Sequence, residues 1–250
     1  MSGNVKKEFG DYQTPLDFCY RVCNYIKESR LAEDAAAIME PTCGVGNFLL
    51  AASNTFACSK LIGIEVNAKR ADAARIEVPS ATIETNDIFN VSTKTLCGED
   101  CVLVIGNPPW ATNSELSFNL PPKTNFKGLR GIEAITGSSN FDICEYIILK
   151  LIGEYKHTNS TICMLCKTSV ARNVVSELSR NHIAYQKVEM LNFNSSKIFG
   201  ISASACVLII KLSTDEACAG EIVCEVKDFD KKSVIDTLIV SGDTVKTART

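Results

Sequence analysis

The chain has 250 residues, of which 46% are hydrophobic, and a formal net charge of −3. This is enough to bury one substantial α/β core, while no run is apolar for long enough to span a bilayer, and the opening MSGNVKKEFGDYQTP lacks the apolar stretch of a secretory signal; a soluble cytoplasmic protein with no membrane contact is expected. The charge argues against a free-standing polyanion binder with a basic surface, since 21 basic and 21 acidic residues balance through Leu212, and residues 213–250 hold five basic against eight acidic.

In chain order, TPLDFCYRVCNYIKESRL (14–31) has helical apolar spacing, with Thr14 as the N-cap and Pro15 at the first helical position. AAIME (36–40) reads as a short buried strand, followed by a glycine-bearing turn and a helix from Asn47. LIGIEV (61–66) is a second strand, NAKRADAARIE a helix, and ATIETND (81–87) a third strand. CVLVIG (101–106) is a fourth, after which a long polar loop runs to Asn140. FDICEYIILKLIGEYK is a helix, TICMLCK a strand and SVARNVVSELSRN a helix. IAYQKVEML and ASACVLIIKL are the last two of seven strands; NFNSSKIFGIS joins them with no obvious helix, which suits an antiparallel, hairpin-like pair. Strands alternating with helices predict an α/β, Rossmann-like fold: a mostly parallel seven-stranded sheet ending in an antiparallel hairpin strand, with helices on both faces. Beyond Leu212, EIVCEVKDFD and SVIDTLIVSG read as a strand or two. The expected division is a catalytic domain over 1–212 and a short extension over 213–250.

Twelve cysteines do not imply a disulfide framework here, because a core of this size needs no staples and many of them sit in apolar segments. Cys163 and Cys166 form a C-x-x-C, but there is no second pair at zinc spacing and only two histidines, His157 and His182. Buried, reduced thiols and no metal are expected.

In an open α/β sheet, ligands bind beyond the carboxyl ends of the strands. After the first strand comes EPTCGVGNF (40–48), where Gly44 and Gly46 allow a tight turn and close approach of backbone to ligand. Glu65, nineteen residues past Gly46, ends the second strand, where an acid can accept from both hydroxyls of a ribose. Asp87 ends the third; its carboxylate can meet an adenine amino group while Ile88 covers a base face. Singly, these are also an ordinary turn and solvated strand ends; together they describe an adenosine-containing cofactor. A dinucleotide fits less well, since Phe48 and Leu49 stand where G-x-G-x-x-G needs its third glycine.

The fourth strand runs into NPPW (107–110), with the only tryptophan of the chain. An exocyclic amine on adenine or cytosine is a poor nucleophile because its lone pair is delocalised into the ring. The Asn107 side-chain oxygen and the Pro108 carbonyl can accept its two N–H groups and favour a pyramidal nitrogen. Pro109 fixes φ beside them, and neither proline offers a competing N–H. Trp110 supplies a stacking surface, with related contacts worth roughly 1–3 kcal/mol. Read without its neighbours, N-P-P is also a plain turn.

With DYQTP, EPTCGVGNF, GIEVN, NDIF and NPPW in this order over about residues 10–212, the sequence resembles the S-adenosylmethionine-dependent amino-group DNA methyltransferases whose cofactor motifs precede the catalytic one. The resemblance implies a class I methyltransferase fold, S-adenosyl-L-methionine as cofactor, and adenine N6 in DNA as target within a restriction-modification or related system. It places Tyr12, Thr14, Glu40, Thr42, Gly44, Glu65, Asp87, Ile88 and Asn107 in the cofactor pocket, and Asn107, Pro108, Pro109 and Trp110 at the catalytic centre. Phe199 would stack on the flipped base opposite Trp110, with Phe141 another candidate for the pocket wall. The loop from Ala111 to Asn140, with Lys123, Lys127 and Arg130, suits phosphates around the extruded base.

The chain departs from the family after Leu212. The 38 residues that follow, with eight acidic against five basic side chains, are too few and too negative to read several base pairs, so a recognition subunit or a further C-terminal region is implied, or the substrate is not a specific duplex. Related NPP-aromatic methyltransferases acting on RNA bases or protein glutamine form the first alternative. A silent cofactor-binding subunit is the second, and a nicotinamide oxidoreductase the last.

Overall fold

Buried carbon dictates the layout of this protein, whose computed structural model describes residues 13–57, 60–110 and 142–248. Helix α1 (Leu16–Glu28) turns Phe18, Cys19, Val22, Cys23 and Ile26 inward at helical spacing. Pro15, and not Thr14, occupies its N-cap: Pro15 is extended at φ −56° and ψ 138°, and no side chain caps the helix. Thr14 lies one residue outside, where its carbonyl accepts Asn47 Nδ2 at 2.8 Å.

Strands β1 (Ala37–Glu40), β2 (Lys60–Glu65), β3 (Ala81–Thr85), β4 (Val102–Gly106) and β5 (Thr161–Lys167) pair in parallel. Between them run α2 (Asn47–Thr55), α3 (Ala68–Glu77), α4 (Thr93–Cys97) and α5 (Ile143–Tyr155), and α6 (Thr168–Arg180) follows β5. Strand β7 (Ala205–Leu212) inserts antiparallel between β5 and β6 (Tyr185–Phe193), which is the expected terminal hairpin pair. Every residue of β1, β4 and β7 is buried, as it must be in central strands covered on both faces.

Two features exceed the sequence expectation. The β6–β7 connection contains a five-residue helix, α7 (Ser195–Phe199), whose Asn194 cap accepts from Ser196 N and Lys197 N at 3.1 Å each and which ends on left-handed Gly200. The seven expected strands are followed by three more, β8 (Ile222–Asp228), β9 (Val234–Ser241) and β10 (Thr244–Ala248), giving ten in the order β10-β9-β8-β6-β7-β5-β4-β1-β2-β3. Strand β8 runs parallel to β6, and β9 and β10 form a meander through a two-residue Gly242–Asp243 turn with Gly242 at φ +57°. A buried ion pair joins the addition to the older sheet: Lys227 of β8 reaches Glu189 of β6 at 2.6 Å. No helix among the described residues is long and apolar enough to cross a membrane.

Nine of the ten described cysteines are buried and all ten are free thiols, with Cys101 intermediate in exposure. Cys163 and Cys166, three apart on β5, point to opposite sheet faces and cannot ligate one ion. Burial pushes Cys23 and Cys224 up to about 12, so neither is a thiolate at neutral pH. At pH 8 a thiol reagent should therefore modify Cys101 well before these nine, which should react only on unfolding; peptide mass spectrometry after timed labelling checks the order.

Candidate active site

The carboxyl ends of β1 to β4 come together at one edge of the sheet, where a cavity of about 530 Å³ opens, within the range of small-molecule sites. Thr14, Glu40, Thr42, Gly44, Glu65, Asp87, Ile88, Asn107 and Pro109 all line it. Tyr12, Phe141 and the 111–140 loop with Lys123, Lys127 and Arg130 lie outside the described residues.

Two buried carboxylates shape the wall. Glu65, only 6% exposed, accepts Gly44 N on Oε2 and Asn67 N on Oε1, both at 2.8 Å. It thereby ties the turn after β1 to the turn after β2. Val66 N–H also acts on the carboxylate, and with four lone pairs on its two oxygens the group keeps acceptor capacity for a ligand hydroxyl. Burial raises its pKa, and the Asn67 and Gly44 N–H groups pull it back. Glu40, at the end of β1, accepts Leu49 N at 3.2 Å and so caps α2, whose N-cap residue Gly46 has no side chain to do it. Between them Gly44 and Gly46 turn at φ +55° and +90°, a left-handed path that bares the loop backbone to the cavity. Thr42 Oγ1 is buried there with no hydrogen-bond partner among the described residues, a polar atom that a ligand would satisfy.

Asp87 receives Phe89 N on Oδ1 at 2.9 Å, which starts a single 3-10 turn over Ile88–Asn90 and leaves the carboxylate with further acceptor sites. This turn is fixed from α5: Glu154 accepts Thr93 N at 2.8 Å and Lys94 N at 3.2 Å, while Lys150 Nζ donates to Val91 O at 2.8 Å. No local sequence signal marks this support, whose partners lie about sixty residues away. Gln13, Asn67, Arg70, Asn86 and Phe89, and the i, i+4 pair Ile143 and Ile147, line the cavity as well, none of them expected there from the sequence. Asn67 was legible as the N-cap of α3, accepting from Lys69 N at 3.1 Å.

At the end of β4, Asn107 and Pro109 face the cavity and Pro108 is buried beside them. Trp110 is only 5% exposed, and its Nε1 donates to Leu165 O of β5 at 3.2 Å. Its expected partnership with Phe199 takes a different form. The two rings are 5.5 Å apart at 74°, edge to face, whereas a base between two rings needs about 7 Å, twice the van der Waals contact distance. Phe199, presented by α7, packs directly against the indole, with Phe193 behind it at 6.1 Å.

Glu65→Ala orphans two backbone donors, so it should cost about 1–3 kcal/mol for each that stays dry. Chemical denaturation of both proteins measures this, and the loss should exceed that of Asp87→Ala, whose Oδ1 serves one donor.

No family model matches the chain. In an alignment 226 positions long that covers 84% of this chain, it is 35% identical to the Type II methyltransferase M.NspV of Nostoc sp., of which it covers 47%. The chain thus spans about half the length of that curated relative. Among solved structures, the methyltransferase subunit of a type I restriction-modification system from Streptococcus thermophilus aligns with a TM-score of 0.61 at 15% identity, covering 93% of this chain and 56% of that one. A Listeria monocytogenes protein assigned to the class I S-adenosylmethionine-dependent methyltransferases aligns with a TM-score of 0.60 at 13% identity, covering 86% of this chain and 65% of that one. The strand order about the cavity and these alignments agree: the chain has the class I S-adenosylmethionine-dependent methyltransferase fold.

Proposed function

We propose that this chain is the cofactor-binding and catalytic part of an S-adenosylmethionine-dependent DNA methyltransferase that modifies the N6 amino group of adenine, in the cytoplasm, within a restriction-modification system. One observation carries the reading: Glu65 and Asp87, suited to an adenosine, share a single cavity with Asn107, suited to an amine. The similarity to a Type II methyltransferase supports DNA as the substrate.

The residues fit the cofactor. Glu65 has acceptors left for the ribose, Asp87 for the adenine amino group, and Ile88 gives an apolar surface for the base. The left-handed Gly44–Gly46 turn and the unpartnered Thr42 hydroxyl suit the methionine end. When bound, the cofactor supplies an electrophilic methyl on a sulfonium. Asn107 and the Pro108 carbonyl would accept the two N–H groups of the target amine, withdrawing its lone pair from the ring and holding it toward that methyl. The prolines keep these acceptors in place, so little reorganisation is needed during transfer. For the base to stack on Trp110, Phe199 must leave the indole; α7, ending on Gly200 with open space around it, is the element that would carry it.

In this reading residues 1–212 hold the machinery, and 213–250 add sheet without a recognition module. DNA sequence is then read by a partner subunit or a further region, consistent with a surplus of acid over base in 213–250. The target nucleotide is flipped out, because a duplex hides the amino group.

Incubation with duplex DNA and labelled cofactor, followed by digestion to nucleosides, should yield N6-methyladenine; label in N4-methylcytosine, or only in RNA or protein, would overturn the assignment. Asn107→Ala should lower the methylation rate on the order of 10²-fold or more while cofactor affinity stays within a few-fold. Asp87→Ala should show the reverse emphasis, weakening cofactor binding about tenfold, or ~1.4 kcal/mol, in a direct titration.

A further inference from the structure

We propose that the turn after β8 clamps helix α1 and so sets Gln13 and Thr14 at the cofactor end of the cavity, with Phe229 as the positioning residue. The inference rests on S-adenosylmethionine occupying that cavity, as in the methyltransferase reading, and gives the added strands a part in binding it.

Helix α1 works on two sides. Phe18, Cys19, Val22, Cys23 and Ile26 turn to the core, while Arg21, Tyr25 and Glu28, at i, i+4 and i+7, form a second stripe. Each member of that stripe meets a residue between 227 and 232. Arg21 Nη2 donates to Asp230 Oδ1, and its guanidinium carbon lies 4.9 Å from the Phe229 ring centroid. Tyr25 Oη accepts Lys227 Nζ at 3.3 Å, and Lys232 Nζ pairs with Glu28 at 2.5 Å. Opposite charges at the two ends of the stripe, each matched across the contact, resist a slide of the helix along the turn. Phe229 is at the centre. It is buried, its backbone N–H is tied to Asn192 O of β6 at 2.9 Å, and its ring meets Phe18 edge-on at 5.3 Å and Tyr25 at 6.3 Å.

The clamp reaches the site through the start of the helix. Phe18 lies in the first turn of α1, four residues after Thr14. No side chain caps that end, so where Gln13 and Thr14 stand depends on how the helix body is held. Both line the cavity. Gln13 rests directly on the glycine turn, since a Cβ added to Gly44 would be 2.9 Å from its amide. A small rotation of α1 therefore moves the cavity wall. Exposed ion pairs such as Arg21–Asp230 and Glu28–Lys232 add little to stability. What four contacts along one side of a helix supply is its orientation.

The test is calorimetric titration of the 250-residue chain with S-adenosylmethionine, comparing wild type with Phe229→Leu, Arg21→Ala and Leu238→Ala. Leu238, buried on β9, opposes Cys224 and so faces away from Lys227; its loss weakens the addition without touching α1. Affinity should fall about threefold to tenfold in Phe229→Leu, the value of a lost ring contact. In Arg21→Ala it should fall about twofold to fivefold. In Leu238→Ala it should stay within about twofold. A purely structural role would lower the melting temperature and the fraction of sites that titrate, and leave the affinity of the folded sites unchanged. Should Phe229→Leu not fold, the partly exposed Arg21 still decides. Linkage supplies a second readout on the wild-type chain: the cofactor should slow hydrogen exchange at the Phe229 and Lys232 amides more than in the β9–β10 turn. Unchanged affinity in the folded clamp variants, an equal loss in Leu238→Ala, or no added protection at Phe229 and Lys232 would each overturn the proposal. A wild-type chain that does not bind S-adenosylmethionine sinks the methyltransferase reading with it, whereas one that binds it with the clamp variants unchanged sinks this inference alone.

Discussion

The site depends on the Glu65 carboxylate and the two N–H groups, Gly44 and Asn67, that converge on it at 2.8 Å. A parallel sheet brings strand ends to one edge but does not fix the loops beyond them. Here a single side chain bridges the loops after β1 and β2, and Cys43 N strengthens the junction by donating to Ile64 O at 2.8 Å. Glu40 repeats the device one strand over by capping α2. The cavity wall is thus held by carboxyl oxygens that accept backbone N–H groups, most closely at Glu65, where both bonds are 2.8 Å.

The amine half is organised differently. Asn107 follows a fully buried strand, two prolines limit the backbone after it, and Trp110 is pinned through its indole N–H to β5. Phe199 sits instead at the end of a five-residue helix followed by Gly200, with ring contacts to Trp110 and Phe193. The two aromatic partners therefore differ in kind: one is part of the frame and the other lies on a short, locally capped element. An edge-to-face contact is worth about 0.5–1.5 kcal/mol beyond buried area.

The contrast accounts for what the sequence made legible. Strands β1 to β7 follow from apolar runs and alternation with helices, and Glu65, Asp87 and Asn107, singled out because ligands bind at strand ends in this class of sheet, all line one cavity. Pairings across long separations left no local mark: Glu154 on Thr93, Trp110 on Leu165 and Lys227 on Glu189 are chemistry between distant segments. Thr14 illustrates a local rule overridden, since a Ser or Thr before Pro reads as a cap, yet Pro15 takes that place. Strand β10 was hidden for another reason. All its residues are exposed, so it has no buried face to impose a period, and only the Ser-Gly-Asp-Thr turn marked it.

Placement of charge decides how such a site can serve a polyanion. Glu40 and Glu65 are 4% and 6% exposed, enclosed at the base of the cavity rather than on its rim. The acids of 213–250 are a different matter, since most are on the surface and outnumber the bases there. A duplex following β8 to β10 would meet net repulsion. On the DNA reading, the backbone therefore has to approach from the Asn107 and Phe199 side, and the positive charge that steers it must come from elsewhere than the added strands.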